Sequence, residues 1–190
     1  MFLLQRPDQE FILRTAEKHR HTELTYAHTG WTREYRCPDG FTTNRSSAVI
    51  GNGERVFQRA KAAISEYQML QFGWIQAVGP QEPIARNSIV CILARHWGVY
   101  CLNFARIVYV DDSRPDQFSF AYGTTREYPL AGEERFAVSI NSTTGEVTYD
   151  IFSFSRPLSL LLWLSLPSMR RAQRRFCRDS TSALRNTCHS

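Results

Sequence analysis

Long hydrophobic runs are missing from this 190-residue sequence. The greasiest stretch, "LSLLLWLSL", is nine residues held between Pro157 and Pro167, against the ~20 that a membrane-spanning helix needs. No helical span is therefore expected. Paired-cysteine motifs are missing as well. The five cysteines, Cys37, Cys91, Cys101, Cys177 and Cys188, are odd in number and show no CxxC spacing. They support neither a disulfide framework nor a zinc site, so reduced thiols in a cytoplasmic protein are expected, with no metal. The opening "MFLLQRPDQEFILRTAEKHR" has no basic segment followed by a sustained apolar core, so it does not read as a secretory signal. "GNG" at 51–53 lacks the third glycine and the GKS/T ending of a phosphate loop, and a tight strand-to-helix turn accounts for it. No serine or cysteine nucleophile motif accompanies His28, and no cofactor is expected.

What is present belongs to a globular chain, 43% hydrophobic and 13% aromatic, large enough for one well-formed core. The net charge of +5 is local. Between Ser168 and Ser190 stand Arg170, Arg171, Arg174, Arg175, Arg178 and Arg185 against the single acid Asp179, while the rest of the chain balances. That distribution is not a uniformly basic coat, and nucleic acid is not an expected partner. A solvated helix face is one reading of the cluster. An anionic membrane surface contacted through Arg170, Arg171, Arg174, Arg175 and Arg178 is another.

The spacing predicts a helix over about Pro7 to His19 and another over Glu54 to Leu70, where Val56, Phe57, Ala60, Ala63, Ile64, Tyr67 and Leu70 form an apolar stripe. "SSAVI" reads as a short strand before "GNG". After Gly73 come six strand-like runs, "WIQAV", "SIVCILARH", "VYCLNFARIVYV", "QFSFAYGTTRE", "ERFAVSI" and "EVTYDIFSF", joined by turn chemistry such as "DDSRPD" and "NSTTGE". A last helix is expected to be capped by Ser155 and started by Pro157. Consecutive strands with segregated helices give an α+β class: a curved antiparallel sheet of about six to seven strands gripping a long carboxy-terminal helix. Such a wrap leaves room for a ligand between helix and sheet. Residues 1–25 read as an amino-terminal helical extension and 26–190 as a single domain.

Eight ordered pieces then carry a resemblance. They are "YAHTGWT" at 26–32, "GNGERVFQRAKAAI" at 51–64, "FGW" at 72–74, "RIVYV" at 106–110, "FAYGT" at 120–124, "GEERF" at 132–136, "FSRP" at 154–157 and "RRAQRRF" at 170–176. Together they make the chain similar to domain of unknown function nineteen-ninety, an uncharacterised group found in bacteria and plants. Ala105 stands where that family usually has a cysteine, which argues against essential cysteine chemistry. The resemblance implies a distant helix-grip relative of START domains, polyketide cyclases and birch-pollen-type allergens. Its plant members' association with the plastid envelope keeps the membrane surface, and even pore formation by oligomers, in view.

Among the polar residues, Glu134 stands out. Phe136, Val138 and Ile140 recur every second residue, and Glu134 falls on their face. Arg106 is its expected partner from a neighbouring strand, because either charge buried alone is costly. Tyr122 shares its strand face with Phe118 and Phe120 and is placed to reach Glu134 or a ligand. Arg156, at a strand-to-helix junction, is expected either to bind a carboxylate such as Asp150 or to sit at a cavity mouth. His28 is the one histidine inside a motif of the resemblance. Glu134, Arg106, Tyr122, Arg156 and His28 are thus the candidate ligand-binding residues. The expected function is a non-enzymatic module binding a small apolar or lipid-like molecule. A cyclase- or hydratase-type enzyme using Glu134 as acid/base is the alternative, and a membrane-surface protein is the third.

Overall fold

Period-two patterning dominates the middle of the chain, and in the computed structural model those segments pair side by side. The structure describes every residue except 81, 97, 127, 160–165 and 190. The strands are β1 (Phe2–Leu3), β2 (Thr42–Asn52), β3 (Gln71–Phe72), β4 (Ile75–Val78), β5 (Ile89–His96), β6 (Val99–Arg114), β7 (Gln117–Thr124), β8 (Leu130–Ile140) and β9 (Glu146–Pro157). The helices are α1 (Gln9–His19), α2 (Glu54–Ser65) and α3 (Leu166–His189). All pairings are antiparallel, in the order β2-β9-β8-β7-β6-β5-β4-β3, with β1 on the free edge of β6's first residues. The sheet is a curved half-barrel that grips α3, the expected α+β helix-grip architecture. Among the described residues it holds nine strands rather than six to seven. The two-residue strands β1 and β3 are too short to show a period in sequence, which is why they went uncounted.

Both faces of this sheet are covered. On the concave face Phe120, Phe136, Tyr149 and Ile151 pack with Phe57, Ala60 and Ile64 of α2 and with Phe176 and Leu184 of α3. On the convex face Ile12 and Ala16 of α1 meet Ile89, Cys91, Leu93, Leu102 and Phe104. A sheet buried on two sides reads as continuous apolar sequence, and β5 and β6 do. All five cysteines are free thiols.

Local chemistry sets the element ends. Asp8 caps α1, its carboxylate accepting from the Phe11 amide at 2.8 Å. The stripe read as one helix from Glu54 to Leu70 is divided: α2 ends at Ser65, Tyr67 takes a left-handed φ of 56°, and a 3-10 turn covers Gln68–Leu70. The apolar spacing continues through the break because both pieces face one core, and periodicity alone cannot register it. The last helix does not begin at Pro157. Pro157 closes β9 opposite Leu130, so Ser155 is a strand residue and not a cap. A proline terminating a strand and a proline opening a helix are alike in sequence. The core of the "LSLLLWLSL" run, 160–165, lies outside the described residues.

Helix α3 is held to the sheet by polar ties as well as by packing. The Tyr149 and Ser180 hydroxyls, both fully buried, meet at 2.9 Å. Trp74 Nε1 donates to Asp179 at 2.9 Å. Near its carboxy terminus Arg185 donates to Val49 O at 2.8 Å and His189 Nε2 lies 2.9 Å from Ile50 O, occupying the edge strand β2. Truncating Leu184, fully buried on α3, is expected to cost about 3 kcal/mol by leaving a cavity in the core. Arg174→Ala on the exposed side should stay within about 0.5 kcal/mol. Urea unfolding of the two variants measures the contrast.

Candidate functional site

Adjacent residues of a strand point to opposite faces, and β8 puts Glu133 and Glu134 on opposite sides of the sheet. Glu133 is 2% exposed on the convex face. Its carboxylate accepts from the Tyr26 hydroxyl and the Gly30 amide, both at 2.7 Å, from the Thr32 amide at 3.1 Å, and from the Thr32 hydroxyl. The loop "YAHTGWT" is therefore folded around one carboxylate. Gly30 takes a φ of 82° to aim its amide, and Gly123 lacks the side chain that would strike the Tyr26 hydroxyl. Beside it, Arg135 and Asp150 form a buried ion pair at 3.1 Å, to which Tyr35 adds its hydroxyl. These groups are engaged by protein.

Glu134 faces the other way, into a cavity of about 340 Å³ between the concave face and α3. The wall is mainly apolar, with Trp74, Ile75, Ile92 and Phe176 among it, and Asn103, Tyr128 and Ser153 add polar atoms. Glu134 receives a hydrogen bond from the Tyr122 hydroxyl at 2.5 Å. Burial without a cation pushes its carboxyl up to about 7, and the Tyr122 bond offsets only part of that shift. Burial and the Glu134 charge together drive the Tyr122 phenol well above its ordinary range, so Tyr122 is the donor.

A larger depression of about 680 Å³ lies on the convex face, between the 29–36 loop and β6. It is remote from Glu134, and two of its arginines are already engaged: Arg33 stacks on Tyr109 at 4.4 Å and Arg36 on Trp31 at 4.0 Å. The smaller cavity is the candidate site because it holds a half-buried carboxyl to which the described residues supply one donor.

The candidate residues separate accordingly. Glu134 and Tyr122 are together on the cavity wall. Arg106 is not with them: it projects from the convex face and donates to Arg20 O at 3.0 Å and to Thr22 O, closing the carboxy end of α1. The expected Arg106–Glu134 pair thus does not form. Both faces of β6 are apolar, and the alternation left Arg106 free to point either way. Arg156 lies over the Phe41 ring at 4.8 Å, and Asp150 is taken instead by Arg135 and Arg45. His28 packs edge-on against Trp31 at 4.5 Å in the convex loop. Arg170, Arg171 and Arg174 are exposed on α3, whereas Arg175 and Arg178 pair with Asp179. Among residues that sequence reasoning missed, Asn103 is a polar position in an apolar strand and Trp74 sits in the "FGW" motif. Tyr128, in a loop, gave no signal.

The family model described as Domain of unknown function (DUF1990) matches residues 25–183. A UPF0548 protein of Deinococcus radiodurans is 34% identical over 188 residues, 94% of each chain. A UPF0548 protein of Arabidopsis thaliana is 31% identical over 151 residues, 77% of this chain and 73% of the relative. Among solved structures, the di-domain ARO/CYC protein BexL aligns with a TM-score of 0.54 at 11% identity, over 80% of this chain and 52% of that one. TTHA0849 from Thermus thermophilus aligns at 0.51 and 13% identity, over 77% and 97%. At such identities the likeness establishes the shared fold.

The two glutamates should respond oppositely to amidation. Glu133→Gln replaces an acceptor-only group that receives four donors, and is expected to cost about 3 kcal/mol. Glu134 holds a proton up to about pH 7 in the folded chain and only to about 4.5 when free. Its contribution is therefore full below 4.5 and is lost as pH rises toward 7, by up to about 3 kcal/mol. Glu134→Gln should remove that loss and be relatively more stable at pH 8 than at pH 4. Urea unfolding of wild type and both variants at the two pH values checks both expectations.

Proposed function

The chain belongs to the DUF1990 family, and from its site we propose that it is a binding module whose internal cavity takes one small, mainly apolar molecule with a polar end. The observation that carries this reading is the juxtaposition of an apolar space of about 340 Å³ with Glu134, a carboxyl given one donor among the described residues. That volume falls in the range of small-molecule sites. A core carboxyl whose role was purely structural would be expected to be saturated as Glu133 is, four donors to one group. The helix-grip fold supports the reading by placing α3 as a wall over the concave sheet.

The raised pKa of Glu134, about 7, favours a second reading: a general acid/base acting on the bound molecule, as the ideal catalytic pKa lies near working pH. The Glu134→Gln variant separates the two. Turnover lost with binding kept identifies catalysis, and binding changed with no turnover in either protein identifies a binding module.

Gently purified protein should carry a bound species of defined mass by native mass spectrometry, recoverable by organic extraction. Ala172→Phe, which fills the cavity from α3, should abolish that species while the protein still melts cooperatively. An apo mass for the wild type, with no gain in melting temperature from any member of an apolar small-molecule panel, would count against the binding reading.

A further inference from the structure

Charge along the cavity wall is one-sided. The chain has 23 Lys and Arg against 18 Asp and Glu, yet among the described residues no Lys or Arg lines the cavity. None of the positions outside the description is a Lys or Arg either. Arg175 comes near, stacked on Trp74 at 4.8 Å, but Asp179 holds it at 3.2 Å. The other titratable side chains of the wall are His96, Cys101, Tyr122 and Tyr128. Burial and the Arg175 charge lower His96, while burial raises the thiol and both phenols. All four are neutral near neutral pH, which leaves Glu134, ionised above about pH 7, as the charge that the described wall presents to a ligand. Glu133 contributes to the wall beside it, but its carboxylate is consumed on the convex face.

We propose that the cavity takes an apolar molecule ending in a protonated amine, with Glu134 as its counter-ion. This rests on the binding reading above. Among the described residues, one hydrogen bond from Tyr122 leaves most of the carboxylate's roughly four lone-pair sites open. A buried carboxylate without a partner is costly, and an ammonium supplies both charge and donors. The aromatic wall formed by Trp74, Tyr122, Tyr128 and Phe176 attracts a cation over its ring faces and covers an apolar chain equally well. An acid-tipped ligand such as a fatty acid would place a second negative charge beside Glu134 with no cation to offset it.

The test is calorimetric titration of the protein at pH 8 with decylamine, decanol and decanoate, each below its micellar concentration. Decylamine is expected to bind at least about tenfold more tightly than decanoate and about fivefold more tightly than decanol. Glu134→Gln should weaken decylamine about tenfold and leave decanol within about twofold. Retained decanol binding by Glu134→Gln guards against a variant that merely misfolds. Decanoate binding as tightly as decylamine, or decylamine unaffected by Glu134→Gln, overturns the amine assignment while leaving the binding reading standing. If none of the three binds, the binding reading fails and the assignment with it.

Discussion

The pleat of β8 forces the neighbours Glu133 and Glu134 to opposite sides of a sheet that is covered on both, and the rest of the structure answers to that constraint. Glu133 is buried and Glu134 half-buried, so each must be provided for by what packs against its own face. On the convex side a loop of ordinary turn residues wraps Glu133 and gives it four donors. On the concave side the sheet offers Glu134 a tyrosine hydroxyl and a space. The two groups share a strand and a chemistry, and they differ in solvation.

That difference organises the molecule into a closed back and an open front. The back is rigid by construction. Glu133, the Arg135–Asp150 pair and Tyr35 lock the 26–41 segment against β8 and β9, while Arg106 fastens the end of α1 beside it. Over the front lies α3, whose inner side packs on the sheet with Phe176 and Leu184 and meets Tyr149 through Ser180. Toward the amino-terminal half of α3, Ala172 and Gln173 replace bulky side chains and the packing opens into the cavity. A rigid back with a locally underfilled front is a sound arrangement for holding a small molecule, because the polar contacts need not be reorganised when it arrives.

Much of this was legible residue by residue. The alternation of Phe136, Val138 and Ile140 put Glu134 on the concave face, and the same argument put Tyr122 beside it. The strand runs and their turns implied the antiparallel order. Arg106 was not legible, because β6 is apolar on both sides and a period of two names two faces without saying which is which. The saturation of Glu133 was not legible either. Its donors are 101 to 107 positions away in sequence, in a loop with no periodicity to read.

The sequence by itself determined the class of fold, the face on which a carboxylate would have to be reckoned with, and the absence of a long apolar run. Those are consequences of local rules: spacing, turn chemistry and the length of apolar stretches. Only the tertiary structure decided that Glu134 has no arginine opposite it, that Glu133 is the fully satisfied one, and that the described wall around Glu134 carries no cation. Those are properties of a surface assembled from β1, β4 through β9 and α3. Whether a buried charge is neutralised depends on which side chains converge in space, and no spacing along the chain encodes that.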